Sequence, residues 1–249
     1  MKEKMRIVSF VLVFVLVVGI IPASAQTAGT PIAVLAEVET VLYGKAQTGA
    51  IIDRVESIER EIYGTAQEGP MMARIDQVSA FLEGNQNASS LKLQLNLAEW
   101  GFLAKLSANE PLMTRLERIE TDFYGAPQTG ALKQRIEQMM MFIWGTTSLD
   151  VKQVTVPSAS LVEIQLLTTV NSGSNKVGDK VPYRVTSDVI IDGRIVVPRG
   201  AEGVGEITEV VSKGSLGRNG RVVIDFGSVP AFDGSKIGLR MAEKATEQN

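Results

Sequence analysis

A short phrase recurs at a fixed spacing as far as Gly145 and constrains what this chain can fold into. The full phrase consists of an aromatic residue, a glycine and, three positions after the glycine, a glutamine. The clearest copies are Tyr43-Gly44 with Gln47, Tyr63-Gly64 with Gln67, and Tyr124-Gly125 with Gln128. The steps from Gly44 to Gly64, from Gly64 to Gly84 and from Gly125 to Gly145 are each 20 residues long. A fixed period of this length predicts an array of structural repeats.

Within each repeat the apolar residues step by 4, 3 and 4, as at Ile51, Val55, Ile58 and Ile62. This stripe indicates an amphipathic helix of about two heptads. Glycine after the aromatic is a common left-handed helix stop. Because isolated helices this short are marginal in water, the stripes are expected to meet each other, as antiparallel coiled-coil-like hairpins or across an oligomer. Between Gly84 and Glu110 the period is expected to break around an inserted helix, Leu91–Leu106.

The repeated corner admits two interpretations. In the first, the tyrosines lean on a neighbouring helix and the glutamines bond the backbone of the turn, as any helical array needs. In the second, tyrosine and amide groups line a groove for a sugar. The candidate binding residues are Tyr43, Gln47, Tyr63, Gln67, Tyr124 and Gln128. The structural interpretation is favoured.

The amino terminus has the three parts of a secretory signal peptide. Lys2, Lys4 and Arg6 precede an apolar run from Ile7 to Ile21, and Ala23-Ser24-Ala25 follows. Cleavage is expected after Ala25, and the apolar run is short for a membrane span. The alternative is an uncleaved anchor. The predicted location is the periplasm or cell envelope of a bacterium.

Beyond Gly145 the apolar period changes to 2 and glycine becomes frequent, which indicates a second, all-β domain. The predicted strands are 151–156, 161–167, 180–185, 188–191, 194–197, 203–211, 220–226 and 236–240. Asp192-Gly193 is a two-residue hairpin signal. The fold is therefore predicted as α+β, with a helical array followed by a separate small barrel or sandwich. The predicted segments are a signal peptide (1–25), a flexible lead (26–32), the helical domain (33–147), the β-domain (148–241) and a polar tail (242–249).

The β-region carries a resemblance to a known family. After Lys176-Val-Gly-Asp179, the hairpin at Asp192-Gly193 leads to the corner Val197-Pro-Arg-Gly-Ala201 and the strand Gly203-Val-Gly205. Together with Gly220–Phe226 and Asp233-Gly234, this pattern resembles the β-barrel domain of TrbI-like conjugal-transfer and type IV secretion core proteins, and related small envelope β-domains. The resemblance covers about residues 154–240 and implies a fold. The helical array is not part of the family pattern, and the long proline-rich segment of those proteins is absent from the sequence.

Composition excludes several kinds of chemistry. The chain has no His and no Cys, so Ser-His-Asp and Cys-His catalysis and the usual zinc ligand sets are impossible. The carboxylate pairs Glu56/Glu59 and Glu117/Glu120 lie beside arginines at 54, 60, 115 and 118, a pattern interpreted as a solvated, ion-paired helix face. No enzymatic activity, cofactor or metal is predicted.

Charge bears on the partners. Removing residues 1–25 takes the formal net charge from −3 to −5, which argues against nucleic acid. A basic loop with Lys213, Arg218 and Arg221 could contact an anionic polymer or a partner. The predicted function is assembly or scaffolding in the envelope, by self-association or by docking an envelope protein. The alternative is binding of peptidoglycan or another glycan, and after cleavage no transmembrane span is expected.

Overall fold

The structure is a computed structural model that describes residues 12–17, 30–84, 90–150, 152, 154–158, 160–212 and 220–241; for 12–17 only the backbone is described. The predicted flexible lead and the polar tail therefore lie largely or wholly outside the described residues. So does most of the signal peptide.

Six helices fill the first half of the described chain, and all have the same length. They are α1 (Pro31–Tyr43), α2 (Ile51–Tyr63), α3 (Met71–Glu83), α4 (Leu91–Leu103), α5 (Leu112–Tyr124) and α6 (Leu132–Trp144). Their starts keep the period of the sequence repeat, with one extra residue between α4 and α5. The expected break in the period is therefore a single extra residue, and α4, which ends before the predicted Leu106, is a regular member of the array whose turn motifs have diverged.

The helix ends follow from local sequence. As predicted, α1, α2, α5 and α6 stop where Gly44, Gly64, Gly125 and Gly145 take positive φ, a conformation that costs glycine little. Helix α4 stops instead at Ala104, with φ 49°, so this terminus lacks the glycine that would have marked it in the sequence.

The predicted apolar stripes form the core of the array. Val55, Ile58 and Ile62 of α2 are at most 2% exposed, and the equivalent residues of the other helices are buried with them. Helix α1 packs on α3, and α4 packs on α6. The short helices are thus stabilised by tertiary burial, as their length requires.

Gly101 lies inside α4 and does not end it. A Cβ at this position would lie 2.6 Å from the Trp144 ring. The missing side chain admits that indole, which stacks on Trp100 at 6.1 Å between ring centroids. Close packing between α4 and α6 therefore accounts for a glycine in a helix interior.

The second half is a curled antiparallel half-barrel, which confirms the α+β class. Its strands are β2 (Ser160–Leu166), β3 (Lys180–Val185), β4 (Val189–Ile191), β5 (Arg194–Val197), β6 (Glu202–Val211), β7 (Arg221–Asp225), β8 (Ser228–Pro230) and β9 (Lys236–Met241). One further strand, β1 (Leu12–Val17), comes from the first part of the chain. The seven-stranded sheet runs β7-β6-β3-β2-β1-β9-β8, and β4 pairs with β5. The hairpin predicted at Asp192-Gly193 is confirmed, since both residues have positive φ.

Two features of the β-region differ from the prediction. The described residues between 151 and 156 are not in a strand, and β8 lies in a stretch predicted as a loop. Buried Tyr183 explains where β8 is held, because its hydroxyl lies 3.0 Å from the Phe226 carbonyl and 2.9 Å from the Ser228 carbonyl. A single O–H can donate to only one at a time. A distant tyrosine therefore anchors a segment whose own sequence carries a weak strand signal.

The chain divides into two compact units. The helical unit runs to Thr155 and takes in Pro230–Ser235, while the β-unit holds β1, Val156–Val229 and β9. Among the described residues, no helix has both the length and the apolar character to cross a membrane.

Candidate functional site

Buried ion pairs join consecutive helices of the array. The ninth residue of one helix is a glutamate, and the fourth residue of the next is an arginine that binds it through two nitrogens. In the pair Glu59–Arg74 the Nε–Oε1 distance is 2.9 Å and the second N–O distance is 2.6 Å. We call this unit a clamp. The other bidentate clamps are Glu39–Arg54 and Glu120–Arg135.

Each clamp also holds the loop between its two helices. The backbone N–H of Gln67 donates to Glu59 at 2.8 Å, and Gln47 and Gln128 do the same to Glu39 and Glu120 at 2.7 and 2.9 Å. The carboxylate thus accepts from the loop and from the next helix at once. Charge-assisted bonds of this kind are the stronger class of hydrogen bond.

The glutamine side chains bond back to their own turns. Their Nε2 atoms donate to the carbonyls of Lys45, Thr65 and Ala126 at 3.0, 3.0 and 2.9 Å. Gln47, Gln67 and Gln128 therefore have the contacts of the structural interpretation. Their amides stabilise a turn whose backbone N–H is already held by the clamp.

A fourth clamp, on Glu99, is larger because Arg118 and Asn96 join the arginine at the fourth position of the next helix. Arg115 contacts Glu99 at 2.6 Å, Arg118 contacts it at 2.8 Å, and the Ser107 backbone N–H donates at 2.9 Å. Asn96 accepts from Arg115 and donates to the Phe232 carbonyl at 2.6 Å. This network ties the segment Pro230–Ser235 into the helical unit.

Burial and pairing act in opposite directions on the carboxylates of Glu39, Glu59 and Glu99. Desolvation raises the pKa of Glu59, but the bonds from Arg74 and from the Gln67 backbone more than offset this, so the pKa is lowered overall. The same balance lowers the pKa of Glu39 and of Glu99. These groups are ionised and fully engaged at neutral pH, which suits a structural role and leaves no free acid or base among them.

The solvated face predicted from the charge pattern is wrong for Glu59, Glu120 and Arg115, which are buried. Glu59 is 0% exposed, Glu120 is 1% and Arg115 is 3%; Glu56 and Arg60 form a solvent-accessible pair of the expected kind. Positions 5, 8, 9 and 12 of a helix lie on one face, so the ninth residue shares the buried stripe. The signal that could have revealed this is the recurrence of Glu and Arg at one fixed separation in the three bidentate clamps.

The tyrosines of the corners do not form one site. Tyr43 and Tyr63 are half-buried against the helical core. Burial, with smaller contributions from Glu61 and Glu39, raises the pKa of Tyr43 to about 12. Tyr63 packs on Phe81 at 5.3 Å between centroids. Tyr124 is the exception and is 42% exposed.

Tyr124 belongs to a surface cluster on the carboxyl-terminal ends of α4, α5 and α6. Phe123 is its centre, with ring centroids of Phe102, Tyr124 and Phe142 at 5.4, 4.8 and 4.7 Å. Phe142 is 69% exposed, and adjacent Met141 is 53% exposed. We call Phe102, Phe123, Tyr124 and Phe142 the aromatic cluster. Partly exposed rings gathered in one place can bury more apolar surface against another molecule.

An open groove of about 590 Å³ lies between the carboxyl end of α2 and the amino end of α6. It is lined by Ser57, Arg60, Glu61, Gly64, Thr129, Gly130, Ala131 and Arg135. None of the predicted tyrosines or glutamines is among these residues, although Gly64 and Gly130 belong to the repeated corners.

The predicted basic loop is only partly described, and Lys213 and Arg218 lie outside the described residues. Arg221 is exposed and forms an ion pair with Glu209 on the neighbouring strand. In the part of the chain that the structure describes, no group of three acidic side chains is arranged to hold a metal ion. Comparisons with protein-family models, curated proteins and solved structures found no match to this chain.

Proposed function

We propose that this is an exported, non-enzymatic scaffolding protein of the bacterial cell envelope. Its helical unit presents the aromatic cluster as a docking surface for a second copy of the chain. Its β-unit serves as the envelope-contacting module. The main support for this proposal is the aromatic cluster. Phe142 is 69% exposed, whereas the charged residues of the clamps face inward.

The contrast between these two sets of residues supports a scaffold over an enzyme. The clamp carboxylates use their hydrogen-bonding capacity on arginines and loop amides, so they offer nothing to a substrate. The apolar surface faces outward, and aromatic residues with methionine are enriched at protein interfaces.

Export rests on sequence. The charged start, apolar run and Ala23-Ser24-Ala25 support a signal peptide cleaved after Ala25. The resemblance of the β-region to TrbI-like envelope domains supports the same location. A half-barrel sheet is compatible with that resemblance but is common to many folds.

The test is sedimentation velocity of the mature chain, residues 26–249. We expect self-association that Phe142→Glu weakens by about tenfold or more, since a charge in a buried apolar contact is costly. The matched control is Met72→Glu on α3. The Met72 side chain is 50% exposed and lies outside the aromatic cluster, so this change is expected to leave association unchanged. A mature chain that stays monomeric, and that fractionates away from the envelope, contradicts the proposal.

The alternative function is binding of peptidoglycan or another glycan, and one observation favours it. The open groove presents the hydroxyls of Ser57 and Thr129, the Glu61 carboxylate and the Arg60 guanidinium, which are groups that bond sugar hydroxyls. Retention of the protein on purified cell wall distinguishes glycan binding from scaffolding. If the Arg60→Ala variant is no longer retained and the Phe142→Glu variant still is, the glycan binds in the groove. If the wild-type protein is not retained, the glycan-binding function is rejected.

A further inference from the structure

Strand β1 occupies the middle of the sheet and not its edge. It runs antiparallel to β2 over six residue pairs, from Leu12 opposite Gln165 to Val17 opposite Ser160. On its other side it runs antiparallel to β9, with Val15 opposite Met241 and Val17 opposite Leu239. The backbones of β2 and β9 are therefore bridged by a strand that lies within the predicted signal peptide.

The place that β1 fills is bordered by core residues. Val162 and Ile164 of β2 are 0% exposed, and Leu239 of β9 is 5% exposed. Removing the strand would uncover these side chains and leave backbone N–H and C=O groups unpaired on both borders. Unpaired backbone groups next to an apolar core are costly, and they are a template for another strand.

Direct closure of β9 onto β2 is opposed by the other side of β9. Adjacent strands lie about 4.8 Å apart, so closing a gap of one strand would move β9 by about that distance. The Leu239 backbone N–H is bonded to the Gly227 carbonyl at 2.8 Å, and this bond holds β9 beside β8. The geometry favours refilling the gap over collapsing it.

We propose that the mature β-unit contains a strand-accepting slot between β2 and β9, which binds an extended apolar segment of another polypeptide. The inference rests on the proposed export, because cleavage after Ala25 removes β1. The incoming strand runs antiparallel to both borders, as β1 does, and extends the sheet through main-chain hydrogen bonds. This is recognition by strand addition.

The register defines which residues the slot selects. Successive residues of a strand face opposite sides of a sheet. The positions opposite buried Val162 and Ile164 are those of Val15 and Val13, so the incoming strand needs apolar residues there. The positions of Leu16 and Phe14 lie opposite Leu161, which is 54% exposed, and half-buried Glu163. Polar residues are tolerated at those two positions.

The test uses the mature chain, residues 26–249, and a synthetic peptide that carries the sequence of Leu12–Val17 between terminal lysines. We expect saturable binding by fluorescence anisotropy, with slower amide exchange in β2 and β9. Aspartate at the positions of Val13 and Val15 weakens binding by about tenfold or more, because it places carboxylates against the core. Aspartate at Phe14 and Leu16 is the matched control and weakens binding by less than about threefold, since exposed substitutions cost little.

Three results overturn the slot. One is the absence of peptide binding. Another is equal weakening by both aspartate peptides, which indicates non-specific apolar adhesion. The third is slow amide exchange in β2 and β9 of the free mature protein, whether from direct pairing or from a second copy. The mass of the protein from the native envelope tests export separately, since retention of residues 1–25 contradicts cleavage whatever the peptide does.

Discussion

The junction between α2 and α3 and the junction between α3 and α4 have the same spacing but different chemistry. Both join helices of equal length, and the starts at Ile51, Met71 and Leu91 are evenly spaced. At the first junction Glu59 and Arg74 form a clamp. At the second the two equivalent positions hold Ser79 and Gln94. The helical period is therefore maintained without the clamp.

The two junctions show that two contributions to the array are separate. Apolar stripes are present in every helix and set where helices pack. Clamps are present only at some junctions and fix the loop to the helices on either side. The array ends follow the same logic, because α1 has Val34 at the arginine position and α6 has Met140 at the glutamate position. A helix thus carries each half of a clamp only where a neighbour supplies the other half.

Breaking one clamp should destabilise the protein most. Arg74→Met leaves Glu59 buried without its partner, and we expect a loss of about 3–5 kcal/mol in the free energy of unfolding, because an uncompensated buried charge is costly. Urea unfolding of the mature chain, followed by helical circular dichroism, measures it. The matched control is Arg60→Met in the exposed Glu56–Arg60 pair, for which we expect about 0.5 kcal/mol or less.

A double replacement shows whether the loss comes from the stranded charge. Glu59→Leu together with Arg74→Met removes both charges, and apolar replacement of a buried pair is often close to neutral. We expect the double variant to recover most of the stability. If it is as unstable as Arg74→Met alone, the bond from the Gln67 N–H to the carboxylate is the larger contribution.

The sequence predicts features that depend on neighbouring residues better than features that depend on contacts between distant residues. The stripe at Val55, Ile58 and Ile62 and the stop at Gly64 are local signals, and they predicted the helices correctly. The clamp at Glu59 and Arg74 joins two helices, so its role depends on burial that a local charge pattern does not report. The charge pattern assigned Glu59 to solvent, although at 3.6 residues per turn it faces the core.

The same limit explains why the repeat period at helix α4 and the strand β8 were not predicted. Helix α4 lacks the glycine stop and the glutamine turn, so the period was hidden where Ala104 and Ser107 replace them. Strand β8 depends on the hydroxyl of Tyr183, which lies on β3 and is far from Ser228 in sequence. At the candidate sites, the corner residues were found as turn residues. The aromatic cluster was missed because its rings come from three helices.

Building a clamp at the α3–α4 junction, which has none, is expected to change stability less. Ser79→Glu and Gln94→Arg place the two groups at the spacing of the other clamps. We expect a favourable coupling energy of about 0.5–3 kcal/mol in a double-mutant cycle, the range for residues in direct contact. Each single variant is expected to be less stable than the pair. Simple addition of the two single effects would mean that the α3–α4 junction cannot hold a clamp.

The smallest effect is a dependence of stability on acid, and it follows from the lowered pKa of Glu39, Glu59 and Glu99. A carboxyl whose folded pKa is lowered contributes stability above its unfolded pKa of about 4.3, and loses it as the pH falls through the folded value. Unfolding free energies measured between about pH 5 and pH 2 should therefore decline with acid. The variant with Glu59→Leu and Arg74→Met has one fewer titrating clamp, so its decline should be shallower than that of the wild type. Equal slopes would mean that Glu59 titrates alike in the folded and unfolded chains, and that its clamp holds the array by shape more than by charge.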